Sequence, residues 1–229
     1  MLKIISLGGG VINPDKINIE YIKNLRNLIF KWIKEDNRRK IILITGGGKT
    51  AREYQDSYKK INPEFENDDL DEIGILATKL NAIFISKSMK PVCIDAIVSD
   101  PSKDFHFKGN ILVASGWKPG FSTDYIAVKF AEKFKSNEII NLTNINQIHD
   151  KDPKKFKDAK GLSKITWGEL QDIVGNDWEP GSNLPFDPIA TKLALNLGLK
   201  AYVLNGLDIK NLEKVFNKND DFLGTIIVK

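Results

Sequence analysis

The chain has 229 residues, 41% hydrophobic and 28% charged, an ordinary globular balance that excludes wholesale disorder and can bury a core without covalent staples. Its single cysteine, Cys93, excludes an internal disulfide framework, and with only His106 and His149, far apart, a cysteine or histidine metal cluster is poorly supported. The 34 basic and 30 acidic residues leave a net charge of +4, carried mostly by lysine, a surplus that suits a small anionic ligand as well as a nucleic acid.

The elements follow in chain order. Residues 3–7 (KIISL) form a short β-branched strand that runs into Gly8-Gly9-Gly10. Over 18–35, Ile19, Ile22, Leu25, Leu28, Ile29 and Trp32 recur at three- and four-residue spacing, which predicts an amphipathic helix. IILIT (41–45) is a continuous apolar run of the buried parallel-strand type, and Gly46-Gly47-Gly48 then opens a second helix. A helix over about 69–88 places Ile73, Leu76, Ala77, Leu80 and Phe84 on one face. Strands are predicted at 91–94 (PVCI) and 110–114 (NILVA).

The second half repeats the alternation. Ser122 or Thr123 caps a helix to about 135, EIINL (138–142) is a strand, and a polar stretch reaches Lys164 before a short helix near 167–174. Asp187-Pro188 is an N-cap followed by proline at the first helical position, and Gly198 closes that helix. KAYVLN (200–205), a helix over 209–216 and GTIIV (224–228) finish the chain. Strands alternating with helices predict an α/β fold on a mainly parallel sheet with helices on both faces, in one domain spanning 1–229. No stretch approaches the ~18 apolar residues of a membrane span, and no apolar leader precedes the first strand, so the expectation is a soluble cytoplasmic protein without a membrane partner.

The chemical signal lies in three glycine-rich turns, at 8–10, 46–48 and 116–120, each following a predicted strand. Open α/β sheets bind ligands at the carboxyl ends of their strands, and glycine lets backbone N–H groups approach phosphate oxygens. Two known motifs fail on spacing. Gly48-Lys49-Thr50 ends like a Walker A loop, but Leu43 stands where the first glycine belongs. Gly46-x-Gly48-x-x-Ala51 imitates a dinucleotide fingerprint, but residues 52–68 offer no following strand with a ribose-binding acid. The remaining polar candidates also have plain readings: Thr123-Asp124 as a helix cap, Lys192 as a surface lysine, His149 as an exposed loop residue, Trp117 as packing, and Asp150-x-Asp152 as loop polarity.

Taken in order, SLGGG (6–10), TGGGKTAREY (45–54), the span from Asp71 through GILATKLNA (74–82), SGWKPGFSTD (115–124), LTNINQIHDKDPKKFKDAK (142–160), PFDPIATK (185–192) and GTIIV resemble the amino-acid kinase superfamily. Within it the chain is most similar to the archaeal-type UMP kinase branch. The resemblance implies a three-layer α/β/α sandwich, an N-terminal half that binds mainly UMP and a C-terminal half that binds mainly ATP with Mg2+. It also implies phosphoryl transfer from ATP to UMP, and no nucleic-acid partner. On matching positions it implies Gly9, Gly10, Gly48, Arg52, Thr143, Asn144, His149 and Asp152 for ATP. It implies Gly47, Asp71 and the loop Gly116, Trp117, Lys118, Pro119, Gly120, Phe121, Ser122 with Thr123 for UMP. Asp124 and Lys192 match an acid and a lysine that organise charge at the transferred group, and no side chain is assigned as a resident metal ligand. Such kinases are commonly hexamers built from dimers, which makes the apolar 73–84 stripe a candidate interface beside its other reading as core.

The chain departs from the pattern at several places. Ser6 stands where many bacterial relatives carry a lysine, and Gly10 where a serine is usual. Asn144-Ile145-Asn146-Gln147-Ile148-His149 replaces N-V-D-G-V-Y, exchanging a turn glycine and an adenine-contacting tyrosine. Trp117-Lys118 and Phe121 replace a smaller T-H…H pattern in the acceptor loop, and the histidine expected of isopentenyl phosphate kinases is not evident. Two alternatives stay open at the level of sequence: a kinase of this fold with another small phosphate or carboxylate acceptor, and a non-catalytic nucleotide- or oxyanion-binding protein.

Overall fold

The computed structural model describes residues 1–177, 184–219 and 221–229. Its first strands are β1 (Leu2–Leu7) and β2 (Lys40–Thr45), followed by β3 (Ile111–Ala114) and β4 (Glu138–Thr143). A small antiparallel pair, β5 (Ile148–His149) with β6 (Gly161–Leu162), precedes β7 (Lys164–Thr166), β8 (Lys200–Asn205) and β9 (Thr225–Val228). Among the described residues the main sheet has seven strands in the order β3-β2-β1-β4-β8-β9-β7. The neighbours from β3 to β8 are parallel; β9 runs antiparallel to β8 and parallel to β7.

The central strands are buried on both faces, as their unbroken apolar runs require. One face is covered by α2 (Ile19–Glu35), α8 (Ile209–Phe216) and the inner side of α4 (Asn67–Ser88), which pack on Ile5, Leu7, Ile41 and Leu43. The other is covered by α5 (Thr123–Phe134), α6 (Trp167–Val174) and α7 (Pro188–Leu197), which pack on Ile4, Ile42, Ile44 and Leu112. The result is the expected three-layer α/β/α sandwich.

Local signals placed most boundaries. The side chain of Asn18 accepts a hydrogen bond from the Tyr21 backbone N–H, Ser122 does the same for Tyr125, and Asp187 for Ile189 and Ala190. Thr166 and Glu169 form a reciprocal capping box at α6. Gly198 ends α7 in the left-handed conformation at φ 64°.

Three expectations need correction. Residues 91–94 are not a strand: Val92 and Cys93 turn inward as a plug in the core, and β3 is flanked instead by an isolated bridge from Val98 to Ala114. The first glycine turn does not stay a turn but winds into a short helix, α1 (Gly9–Ile12). The stripe Leu76, Leu80 and Phe84 does not face the core; α4 buries Ala77, Asn81, Ala82 and Ile85, and leaves Leu76 66% and Leu80 59% exposed. Helical spacing tells which residues share a face, not which face the sheet takes.

Candidate active site

The sheet order makes β1 a switch point. The chain leaves β1 for β2 and β3 on one side, then returns to β4 and β8 on the other. Ligands collect outside the carboxyl ends of strands at such a point, and there the structure opens a cleft of about 250 Å³. Its floor is glycine: Gly9 and Gly10 from α1, and Gly46, Gly47 and Gly48 from the turn that opens α3 (Gly48–Ile61). The two turns touch backbone to backbone. A Cβ on Gly9 would lie 1.9 Å from the Gly48 nitrogen, and one on Gly46 would lie 2.3 Å from the Gly9 nitrogen. Gly48 also has φ +69°, a conformation a side chain disfavours. Only glycines permit this contact.

The walls are polar and cross-linked. The Asn81 amide donates to the carbonyls of Gly46 (2.7 Å) and Gly47 (3.2 Å), tying α4 to the floor. The Gly116 N–H donates to Thr78 Oγ1 at 2.8 Å, while that hydroxyl donates to the Ile75 carbonyl at 2.6 Å. The Gly120 N–H donates to Asp71 Oδ2 at 2.7 Å, so the loop 116–122 is pinned to α4 at both ends. Above it Phe121 sits in a ring series, with centroids 5.3 Å from Trp117 and 4.5 Å from Tyr125, and Lys118 Nζ lies 4.4 Å from the Trp117 ring.

Two acids occupy the far wall. Asp124 Oδ1 accepts a hydrogen bond from Ser6 Oγ at 2.8 Å, while Asp187 accepts a short one from Ser122 and two more from the N-terminal amides of α7. Burial raises the Asp124 carboxyl to about 7, with repulsion from the neighbouring Asp187 adding to it and the Ser6 hydroxyl opposing. Asp187 is raised by burial against those hydrogen bonds. Exposed Arg52 is the only cationic side chain among the described residues that line the cleft.

The structure thus brings together Gly9, Gly10, Gly47, Gly48, Arg52, Asp71, Gly116, Phe121, Ser122, Thr123 and Asp124 on one cleft. Trp117, Lys118, Pro119 and Gly120 are in the same loop but do not line it. The residues assigned to ATP from the second half do not line this cleft, though Asn144 borders its floor. Thr143 ends β4, the Asn144 amide comes within 3.7 Å of the Cβ position on Gly10, His149 sits on β5, and Asp152 folds its own turn by accepting from the Lys154 N–H. Lys192 is exposed on α7 and does not line the cleft. Sequence reasoning missed three polar side chains of the lining, Gln55, Thr78 and Asp187. Gln55 and Thr78 are buried polar groups on helix faces, and the sequence carries no mark of where those faces point. Asp187 was read only as a cap; its neighbour Pro188 gave the signal for a helix start, and a helix start beside a glycine floor is an anion-facing position.

A family model described as the amino acid kinase family matches residues 1–205. The chain belongs to the amino acid kinase family. It is 34% identical to the uridylate kinase of Methanococcus vannielii over 231 residues, covering 98% of each chain. It is 31% identical to that of Sulfolobus acidocaldarius, covering 93% of this chain and 94% of the relative. The crystal structure of uridylate kinase from Archaeoglobus fulgidus superposes with a TM-score of 0.79 at 28% identity, over 99% of this chain and all 100% of that one.

Proposed function

We propose that this protein transfers the γ-phosphoryl group of ATP to UMP, giving UDP and ADP. The observation that carries this reading is the end-to-end likeness to archaeal uridylate kinases, which spans both the glycine floor and the acceptor loop. The UMP phosphate is already an anionic nucleophile, so no general base is required. The protein's task is to align two anions and offset their repulsion. In this reading UMP lies between Gly47, Asp71 and the loop from Gly116 to Thr123, with Phe121 as an apolar wall. The donor phosphates approach the amides of Gly9, Gly10 and Gly48, and Arg52 and Lys192 supply cationic charge. Thr143, Asn144, His149 and Asp152 serve the adenosine end.

Among the described residues no three His, Cys, Asp or Glu side chains converge as a metal cage. Mg2+ rarely needs one, since it binds through one or two carboxylates plus substrate phosphates. Asp124 and Asp187, hard oxygen donors on one wall, fit that role, and the ion would supply charge neutralisation at the donor phosphates. We further propose that the chain is one domain and works as a homo-oligomer through the exposed apolar face of α4. No helix of the described residues is long and apolar enough to cross a membrane.

A coupled ADP-release assay with ATP, Mg2+ and a panel of UMP, CMP, AMP and small carboxylic acids tests the activity. Turnover with UMP alone supports it. Turnover with another acceptor, or ATP binding without turnover, replaces it with one of the two alternatives.

A further inference from the structure

At the opposite end of the strands, where β1, β4 and β8 begin, three charged residues stand in one row. Ile5 pairs with Ile140, and Glu138 pairs with Lys200. Two residues back from Ile5, Lys3 is therefore level with Glu138, and side chains two apart on a strand share a face. That face is the one covered by α8. Lys3 is only 2% exposed, and its ammonium lies 5.0 Å from the centroid of Phe216 and 5.5 Å from that of Trp32. Among the described residues no carboxylate comes within ion-pair distance of Lys3, Lys200 or Lys218.

Beside this row opens a cleft of about 310 Å³, lined by Glu138, Lys200, Tyr202, Val215, Lys218 and Asn219. Lys200 Nζ lies 4.5 Å from the Tyr202 ring, and Lys218 holds a left-handed turn at φ 57° just past the end of α8. Arg39, 4.8 Å from the Trp32 ring centroid, is already matched by Glu35 at 2.5 Å. Among the described residues that line this cleft or sit in the row, one carboxylate, Glu138, faces three lysines, leaving an excess of two positive charges. An interior ammonium without a counterion is costly, and ring faces offset only part of that cost. Burial accordingly drives the Lys3 pKa down, with Glu138 opposing and Lys218 adding to the fall.

We propose that this cleft is a second anion site, separate from the nucleotide cleft, which takes a compact polyvalent phosphate-type oxyanion between Lys200 and Lys218, with buried Lys3 adding its charge from beneath the lining. Lys200 and Lys218 reach the ligand from the two rims, and Lys3 completes the charge from below. Glu138 faces the same space and repels any anion there, so the preference for a ligand carrying more than one negative charge comes from the surplus of lysine charge.

The test is calorimetric titration of pyrophosphate into the full chain, first alone and then with UMP and a non-hydrolysable ATP analogue at saturation. The expected result is one pyrophosphate per chain that persists when both nucleotides are bound. Its affinity should fall at least tenfold in the Lys200→Ala/Lys218→Ala double variant and in Lys3→Met, which keeps the buried volume. Kinase turnover in these variants should match the parent, which shows that they fold. Loss of all saturable binding once nucleotides are present would overturn the proposal, as would parental affinity in either variant.

Discussion

At the residue scale the most informative group is Asp124. Its carboxyl ionises near 7 in the folded protein against 3.8 for the free side chain. Between those values the folded state holds a proton that the unfolded chain has released, so stability falls as pH rises across that window, and the full penalty is present above 7. Asp124→Asn removes the penalty, and its amide oxygen can still accept the Ser6 hydroxyl. The variant should melt above the parent at pH 8, and the difference should close below pH 4; equal melting at pH 8 would show that Asp124 is not destabilised by its site. If Asp124 organises cationic charge at the transferred group, catalysis makes the opposite demand, because that role needs the carboxylate. The kcat/KM of the parent should rise with pH around a midpoint near 7, and Asp124→Asn should lose that limb along with most of its activity. Lys192 poses the complementary question, since it stands exposed outside the cleft. If it neutralises charge at the transferred phosphoryl, Lys192→Ala should cut kcat by about 100-fold while melting within about 0.5 kcal/mol of the parent. Near-parental turnover removes it from the mechanism.

At the element scale, α4 and the loop from Gly116 to Ser122 act as one unit. Thr78 is the joint: its Oγ1 receives the Gly116 N–H, and that hydroxyl donates onward to Ile75. Thr78→Val keeps the volume but strands a buried N–H, at a cost of about 1–3 kcal/mol. Denaturant melts should show that loss, and assays should show a raised KM for UMP with a smaller change in kcat. Thr78→Ser should restore both, and a serine variant as impaired as valine would deny the hydrogen bond its role. Elements whose ends carry their own chemistry were legible in the sequence: α5 through Ser122, α7 through Asp187-Pro188 and Gly198, and the floor through its glycines. Elements whose position depends on a distant partner were not. Val92 and Cys93 are as apolar as a strand, but the core takes them as a plug. Thr78 and Gln55 look like ordinary helix polarity until the loop from Gly116 folds over the one and the Leu70 carbonyl accepts from the other at 2.7 Å.

At the scale of the whole molecule, α4 has two faces that serve three tasks. Its inner face carries Asp71, Gly74, Ile75 and Thr78 into the cleft along the first part of the helix and packs Ala82 and Ile85 on the sheet side further on. Its outer face exposes Leu76, Leu80, Ile83 and Phe84 to solvent, at 66%, 59%, 45% and 36%. A contiguous apolar stripe of this kind is rare on a monomer surface. Fully burying such a side chain contributes about 1.5–3 kcal/mol; covering the part of these four that is exposed contributes a fraction of that each, and four from each of two copies together favour self-association. A partner seated on this stripe would brace the helix that carries Asp71, Gly74, Ile75 and Thr78 to the cleft. Leu76→Glu/Leu80→Glu should therefore shift the protein to a smaller species in light-scattering chromatography, keep most of kcat at saturating UMP, and raise the KM for UMP. An unchanged mass would place the interface elsewhere, and a smaller species with an unchanged KM would uncouple assembly from the acceptor site.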